Sequence, residues 1–194
     1  MTTASTSTSE GNTNNNSQSS CSVKLPAIKY LLDDPQLQSH LQTIRAFSNQ
    51  KDDTATSTAS ATAQKSHEEY NLIISSNHKL SSLSNEYTLS HSRLCEAYKP
   101  KFPELEELVV DPRQYRLAVQ TIGNHMDMTS INEELNDILS SNQIITISVA
   151  GSTTAGRALS DSELAHVTDC ASYMQKVENA TSELSQFVEE RMEG

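Results

Sequence analysis

Between His67 and Tyr98 apolar residues return every seven positions, at Ile73, Leu80, Tyr87 and Leu94, and no other feature constrains the fold of this chain more. A seven-residue return is the seam of a helix that packs lengthwise against another helix. The companion row reads Ser76, Leu83, Ser90 and Ala97, small enough for a close approach. A second stretch repeats the period: Val167, Met174 and Val188 in one row, Cys170, Val177 and Leu184 in the other, with Thr181 and Arg191 as polar exceptions. Ser160 and Glu163 open it with a capping-box pattern. Two stripes of matching period predict an all-α fold: an elongated antiparallel helical hairpin, a coiled-coil arm with short helices at its elbow. The first helix would span roughly 45–50 Å. Each buried seam Leu, Ile or Val adds about 1.5–3 kcal/mol, which offsets the ordering of a thin rod.

The elbow is written between the stripes. Pro103 and Pro112, each close to an apolar cluster, indicate that the first helix stops near Tyr98 and the chain reverses through a short ordered elbow, and Asp111 with Pro112 reads as an N-cap followed by the first residue of a new helix. In that helix Tyr115, Ala118, Val119 and Ile122 form one apolar stripe. Phe102, Pro103, Leu105, Leu108, Tyr115 and Gly123 are therefore expected to build a packed corner. Lys99, Lys101, Glu104, Glu107, Arg113 and Arg116 would give it a mixed-charge outer face for contact with a partner. A buried corner required by the hairpin itself explains the apolar residues equally well.

Composition divides the remainder. Residues 1–22 are almost entirely Ser, Thr, Asn, Ala, Gln and Gly, too polar to offset backbone ordering, and read as a disordered tail. Over 23–48, Leu25, Ile28, Leu31 and Leu32, the Asp34-Pro35 start signal, and Leu37, Leu41 and Ile44 fit two short amphipathic helices. Residues 49–66 read as a linker and 67–194 as the arm. Only 35% of the chain is hydrophobic, against about 45–50% in ordinary globular domains. This shortfall also favours a rod over one large core.

The formal charge is −11, and from His67 onward there are nine basic and twenty acidic residues. Such a surface disfavours free nucleic acid as a direct ligand and suits basic patches on partner proteins. Cys21, Cys95 and Cys170 are odd in number and far apart, which argues against a disulfide framework or a zinc site. Residues 1–20 lack the basic start and apolar run of a leader, and no later stretch has the length of a membrane span. A soluble chain of a reducing compartment is expected.

Three patterns imitate chemistry. Ile144 to Val149 is a β-branched run followed by Gly151-Ser152-Thr153-Thr154-Ala155-Gly156-Arg157, which imitates strand, phosphate loop and helix. Arg157 and Ala158 stand where such a loop needs Lys and Ser or Thr, and no other strand is available for the sheet. Glu104, Glu106, Glu107 and Asp111 could pair for hydrolysis, but Arg93, Lys99, Lys101, Arg113 and Arg116 are near enough in sequence to neutralise them as local ion pairs. The six histidines are dispersed, with no nucleophile beside them. No catalytic, cofactor-binding or metal residue is assigned, and no small-molecule substrate. Ser130 and Glu133 repeat the capping-box pattern ahead of Ile131, Leu135, Ile138 and Leu139, predicting another short helix.

Tyr70-Asn71-Leu72-Ile73-Ile74 with Asn77, then Tyr98-Lys99-Pro100-Lys101-Phe102-Pro103-Glu104-Leu105-Glu106 with Leu108-Val109, Tyr115 and Ile122-Gly123-Asn124, resemble the NOSIC module, its core at about 70–122. That module belongs to the Nop-domain proteins of small nuclear and small nucleolar ribonucleoproteins. Ser148 to Gly156, followed by Leu159-Ser160 and Glu163-Leu164, is most similar to the spliceosomal U4/U6 branch. The resemblance covers roughly Val23 to Met192.

The resemblance implies an all-helical arm, with the β-branched run in helical context. It implies a non-enzymatic, nuclear scaffold of the U4/U6 snRNP or U4/U6.U5 tri-snRNP acting in pre-mRNA splicing, with spliceosomal snRNP proteins as partners. In that family the RNA-reading Nop domain follows the arm, and it is expected to be missing here because the sequence ends at Gly194. On that reading no residue of this chain binds RNA and U4 snRNA is reached only indirectly. Alternatives are a truncated family member unable to assemble, or a nucleolar box C/D scaffold.

Overall fold

The computed structural model describes residues 30–48 and 59–192. Every regular element among them is helical: α1 (Pro35–Ser48), α2 (Ala59–Tyr98), α3 (Leu105–Leu108), α4 (Pro112–Ile122), α5 (Asn132–Leu135), α6 (Ser141–Thr153) and α7 (Asp161–Met192), with 3-10 turns at Leu31–Asp33 and Thr129–Ile131. The fold is all-α, as the heptads predict. The tail over 1–22, with Leu25, Ile28 and residues 49–58, lies outside the described residues.

The long helices α2 and α7 run antiparallel. Arg191 reaches Glu69 at 2.8 Å, and the Tyr173 hydroxyl donates to Glu86 at 2.8 Å. Positions therefore rise along α2 as they fall along α7. Both predicted rows of α7 are buried: Val167, Cys170, Met174, Val177, Leu184 and Val188. On α2 the ranking is reversed from the expected one over Ile73 to Ser90 and holds only at the end, where Leu94 is fully buried and Ala97 half-buried. Ser76, Leu83 and Ser90 are at most 1% exposed, whereas Ile73, Leu80 and Tyr87 flank them half-buried. Small serines at the centre of the seam let a neighbouring helix come close, and the larger side chains pack along its edges.

Helix α2 begins at Ala59, inside the stretch read as a linker over 49–66. Near the far end, α1 lays Leu37, Leu41 and Ile44 against Leu83, Val177, Leu184 and Phe187. At the other end the short helices close over Leu94, Tyr98, Phe102, Tyr115, Ile122, Leu135, Ile147 and Met174.

The β-branched run is the helix α6, not a strand. Ser140 and Gln143 close a capping box at its start, and Ile144 and Ile147 are buried three residues apart. Burial of that one face outweighs the local preference for strand. The box expected at Ser130 and Glu133 does not form: Ser130 Oγ donates to the Asp127 carbonyl, and Asp127 Oδ1 accepts from the Thr129 amide at 2.9 Å. An Asx-type turn competes successfully with the cap, leaving a 3-10 turn before a single turn of α5.

Candidate protein-interaction site at the elbow

The corner between α2 and α4 is built from the backbone outward. The Lys101 and Phe102 amides both donate to the Tyr98 carbonyl, ending α2 in a tight turn. Asp111 caps α4 as expected, its Oδ1 accepting from the Gln114 amide at 2.7 Å, with Pro112 in the first turn. Phe102, Leu105 and Tyr115 are buried, while Pro103 and Leu108 are half-buried. Gly123 ends α4 at φ +50°, a backbone conformation that side chains disfavour.

A segment outside the expected corner braces it. The Arg157 amide donates to the Pro100 carbonyl at 3.0 Å, and Thr154 Oγ1 donates to Glu104 Oε2 at 2.7 Å. Gly156 presses against the Lys101 carbonyl so closely that a Cβ would collide with it. Asn124 pairs with the Leu159 backbone in both directions, Nδ2 donating to its carbonyl at 2.9 Å and Oδ1 accepting from its amide at 2.7 Å. The loop that imitates a phosphate cradle is thus a strap across the elbow. Sequence reading missed this role because the contacts are long-range, although Gly156 and Asn124 stand in the motifs that first drew notice.

The predicted contact residues divide. Lys99, Glu104 and Glu107 line one shallow groove of about 510 Å³, together with Pro103 and Glu106. Lys101 and Arg116 are corrected: they are 2% and 4% exposed and cannot present an outer face. The Lys101 ammonium donates to the Met126 sulfur, and desolvation lowers its pKa. Arg116 and Arg113 converge on Glu178 of α7, at 2.9 and 3.1 Å.

The expected local neutralisation of the acidic cluster is also corrected. Arg93 pairs with Glu86, and the two arginines of α4 are held by Glu178, so the cations nearest in sequence turn away from Glu106 and Glu107. Hairpin packing, which carries those arginines to the α2 and α7 faces, decides this. The groove consequently shows three carboxylates against one ammonium. Val110, outside its lining, is 79% exposed. Val110 was not foreseen, since adjacent Val109 and Val110 have no periodicity to tell inside from outside.

Among the described residues no three His, Cys, Asp or Glu side chains gather at metal-binding distance. Cys95 and Cys170 are free, buried thiols, and burial pushes that of Cys95 up to about 11, far from a reactive thiolate. No described helix is long and apolar enough to cross a membrane.

The long helices α2 and α7 pair antiparallel, and a braced corner with an acidic groove lies at the α2–α4 junction. The model of the Nop family, described as snoRNA binding domain, fibrillarin, matches residues 79–194. The chain belongs to that family. It is 32% identical over 124 residues to the U4/U6 small nuclear ribonucleoprotein Prp31 of Xenopus laevis, covering 64% of this chain and 25% of the relative. With the Prp31 homolog of Arabidopsis thaliana the identity is 35%, with the same coverage. Nucleolar protein 58 of Dictyostelium discoideum is more distant, 25% identical over 63% of this chain and 19% of its own length. The chain spans about a quarter of the length of the Prp31 relatives it matches.

The family match corrects the expectation that the Nop domain is missing, because its model runs from the middle of α2 through α7. Heptad spacing does not mark a boundary between an arm and an RNA-reading part. A missing domain therefore no longer speaks against direct RNA contact by this chain.

Proposed function

We propose that this chain is a non-enzymatic scaffold component of the U4/U6 snRNP or the U4/U6.U5 tri-snRNP, acting in pre-mRNA splicing in the nucleus. The paired helices of residues 67–194 hold distance and orientation, and the elbow meets a neighbouring spliceosomal protein. The observation that carries this reading is the groove of Lys99, Glu104, Glu106 and Glu107, whose carboxylates outnumber its cation on a strap-braced corner. An acidic groove selects a basic segment of the neighbour and sets its approach. The Prp31 relatives support the choice of particle, at 32–35% identity.

Tagged chain recovered from nuclear extract should bring with it U4 and U6 snRNAs and their proteins. Recovery no greater than from an untagged control contradicts the proposal. The Dictyostelium nucleolar relative favours a second reading, a box C/D scaffold. Methylation-guide RNAs in place of U4 and U6 in the same recovery would select it.

A further inference from the structure

Between helices α1 and α2 lies a shallow, open groove of about 390 Å³ lined by Gln36, Ser39, His40, Ser75, His78 and Lys79. Its chemistry is opposite to that of the rest of the molecule. The chain has 25 acidic residues, yet none lines this groove; α1 has none along its length, and α2 has none from Tyr70 to Asn85. Lys79 has no carboxylate partner among the described residues. Every lining side chain can donate a hydrogen bond: one ammonium, two imidazoles, two hydroxyls and one amide.

His40 is the fixed wall. It is 8% exposed, and its Nε2 lies 3.0 Å from Ser76 Oγ at the base of the helix pair. Ser76 is fully buried, so this contact sets the ring plane and the separation of α1 from α2. The nearest acidic group in sequence on α1's side, Asp34, uses its Oδ1 on the Gln36 amide at 3.2 Å.

We infer that the α1–α2 groove binds a phosphate monoester, carried as phosphoserine or phosphothreonine on an otherwise basic peptide. Lys79 supplies the charge and His78, Ser39, Ser75 and Gln36 supply donors around it, a set suited to an oxyanion with several acceptor oxygens. The net charge of −11 disfavours a polyanion such as RNA as the ligand, and a groove with one ammonium matches one phosphate and not a run of them. That net charge attracts basic residues flanking a single phosphate. The groove lies on α1 and α2, apart from the elbow, and stands or falls independently of the particle assigned above.

Binding has a proton linkage. Burial lowers the His40 pKa, and the field of Lys79 lowers it further; His78 and Lys79 are the titratable groups facing the groove from α2. A phosphate placed beside Lys79 offsets that field, so the His40 pKa rises on binding.

The test uses the full chain with labelled histidine rings, titrated by NMR with an arginine-flanked phosphoserine peptide, its unphosphorylated twin and a short oligouridylate. The His40 and His78 rings should shift with the phosphopeptide, which should bind about tenfold more tightly than its twin. Lys79→Gln should abolish that difference and Lys79→Arg should retain it, both with unchanged His91 signals as the control for folding. Equal binding of the twin, binding unaffected by Lys79→Gln, or tighter binding of oligouridylate than of the phosphopeptide overturns the inference.

Discussion

The hydroxyl of Tyr98 donates to the Gly123 carbonyl oxygen at 2.9 Å, joining the last residue of α2 to the residue that ends α4. The ring itself is fully buried, and burial raises the phenol pKa well beyond its usual value. One residue later Asn124 grips Leu159, just ahead of α7. Three helices thus meet through two adjacent residues, and the angle at which the hairpin turns is set there.

Removing these bonds should loosen the elbow without dissolving the hairpin. Tyr98→Phe should cost about 1 kcal/mol, and Asn124→Ala about 1–3 kcal/mol because the Leu159 amide loses its partner. Denaturant melts measure both. Hydrogen exchange should show the loss of protection concentrated at residues 99–124 and 154–160.

Gly156→Ala tests the strap. A methyl group there meets the backbone of Lys101, which cannot swing aside as a side chain could. Destabilisation of about 1–3 kcal/mol is expected from the forced shift. A thermal melt matching that of the parent would show that the strap does not press on the elbow.

Val177 is fully buried in the middle of α7. Val177→Pro removes one backbone hydrogen bond and clashes with the preceding turn, a cost of about 3 kcal/mol or more. Far-ultraviolet circular dichroism should show a large loss of helix. The buried valine also faces the cluster that receives α1, so α1 should undock in the same variant.

The pH profile has two windows. The pKa values of His40 and His91 are lowered chiefly by burial, so the unfolded chain binds protons more readily than the folded one near pH 6. Their contribution is fully present above about pH 6.5 and is lost as pH falls through the folded values. Glu163 titrates separately: the Arg157 guanidinium, with the Ser160 amide and hydroxyl, holds its carboxyl down to about 2. Its contribution is present above the usual carboxylate range and fades toward pH 2. Chemical denaturation from pH 8 to pH 3 should therefore show a first loss of stability below pH 6.5, absent in His40→Gln with His91→Gln if those rings cause it.

Much of the hairpin was legible in the residues themselves. The rows from Val167 to Val188 bury as spaced, and Asp111-Pro112 starts a helix because cap and fixed φ act within one turn. Local signals failed where a distant partner decides. Ser76 and Ser90 look weak in sequence but are fully buried, and α6 is helical because Ile144 and Ile147 have a core to enter. The elbow charges were misread for the same reason. Only the antiparallel register brings Arg113 and Arg116 to Glu178 and leaves Glu106 and Glu107 open.

The elbow groove as a docking surface for a basic neighbour is tested most directly by reversing its charge. Glu106→Lys with Glu107→Lys changes two exposed side chains and leaves the buried corner intact. Recovery of U4/U6 proteins from nuclear extract should fall about tenfold relative to the parent chain, with circular dichroism and melting unchanged. Recovery equal to that of the parent, from an equally folded variant, would contradict the account.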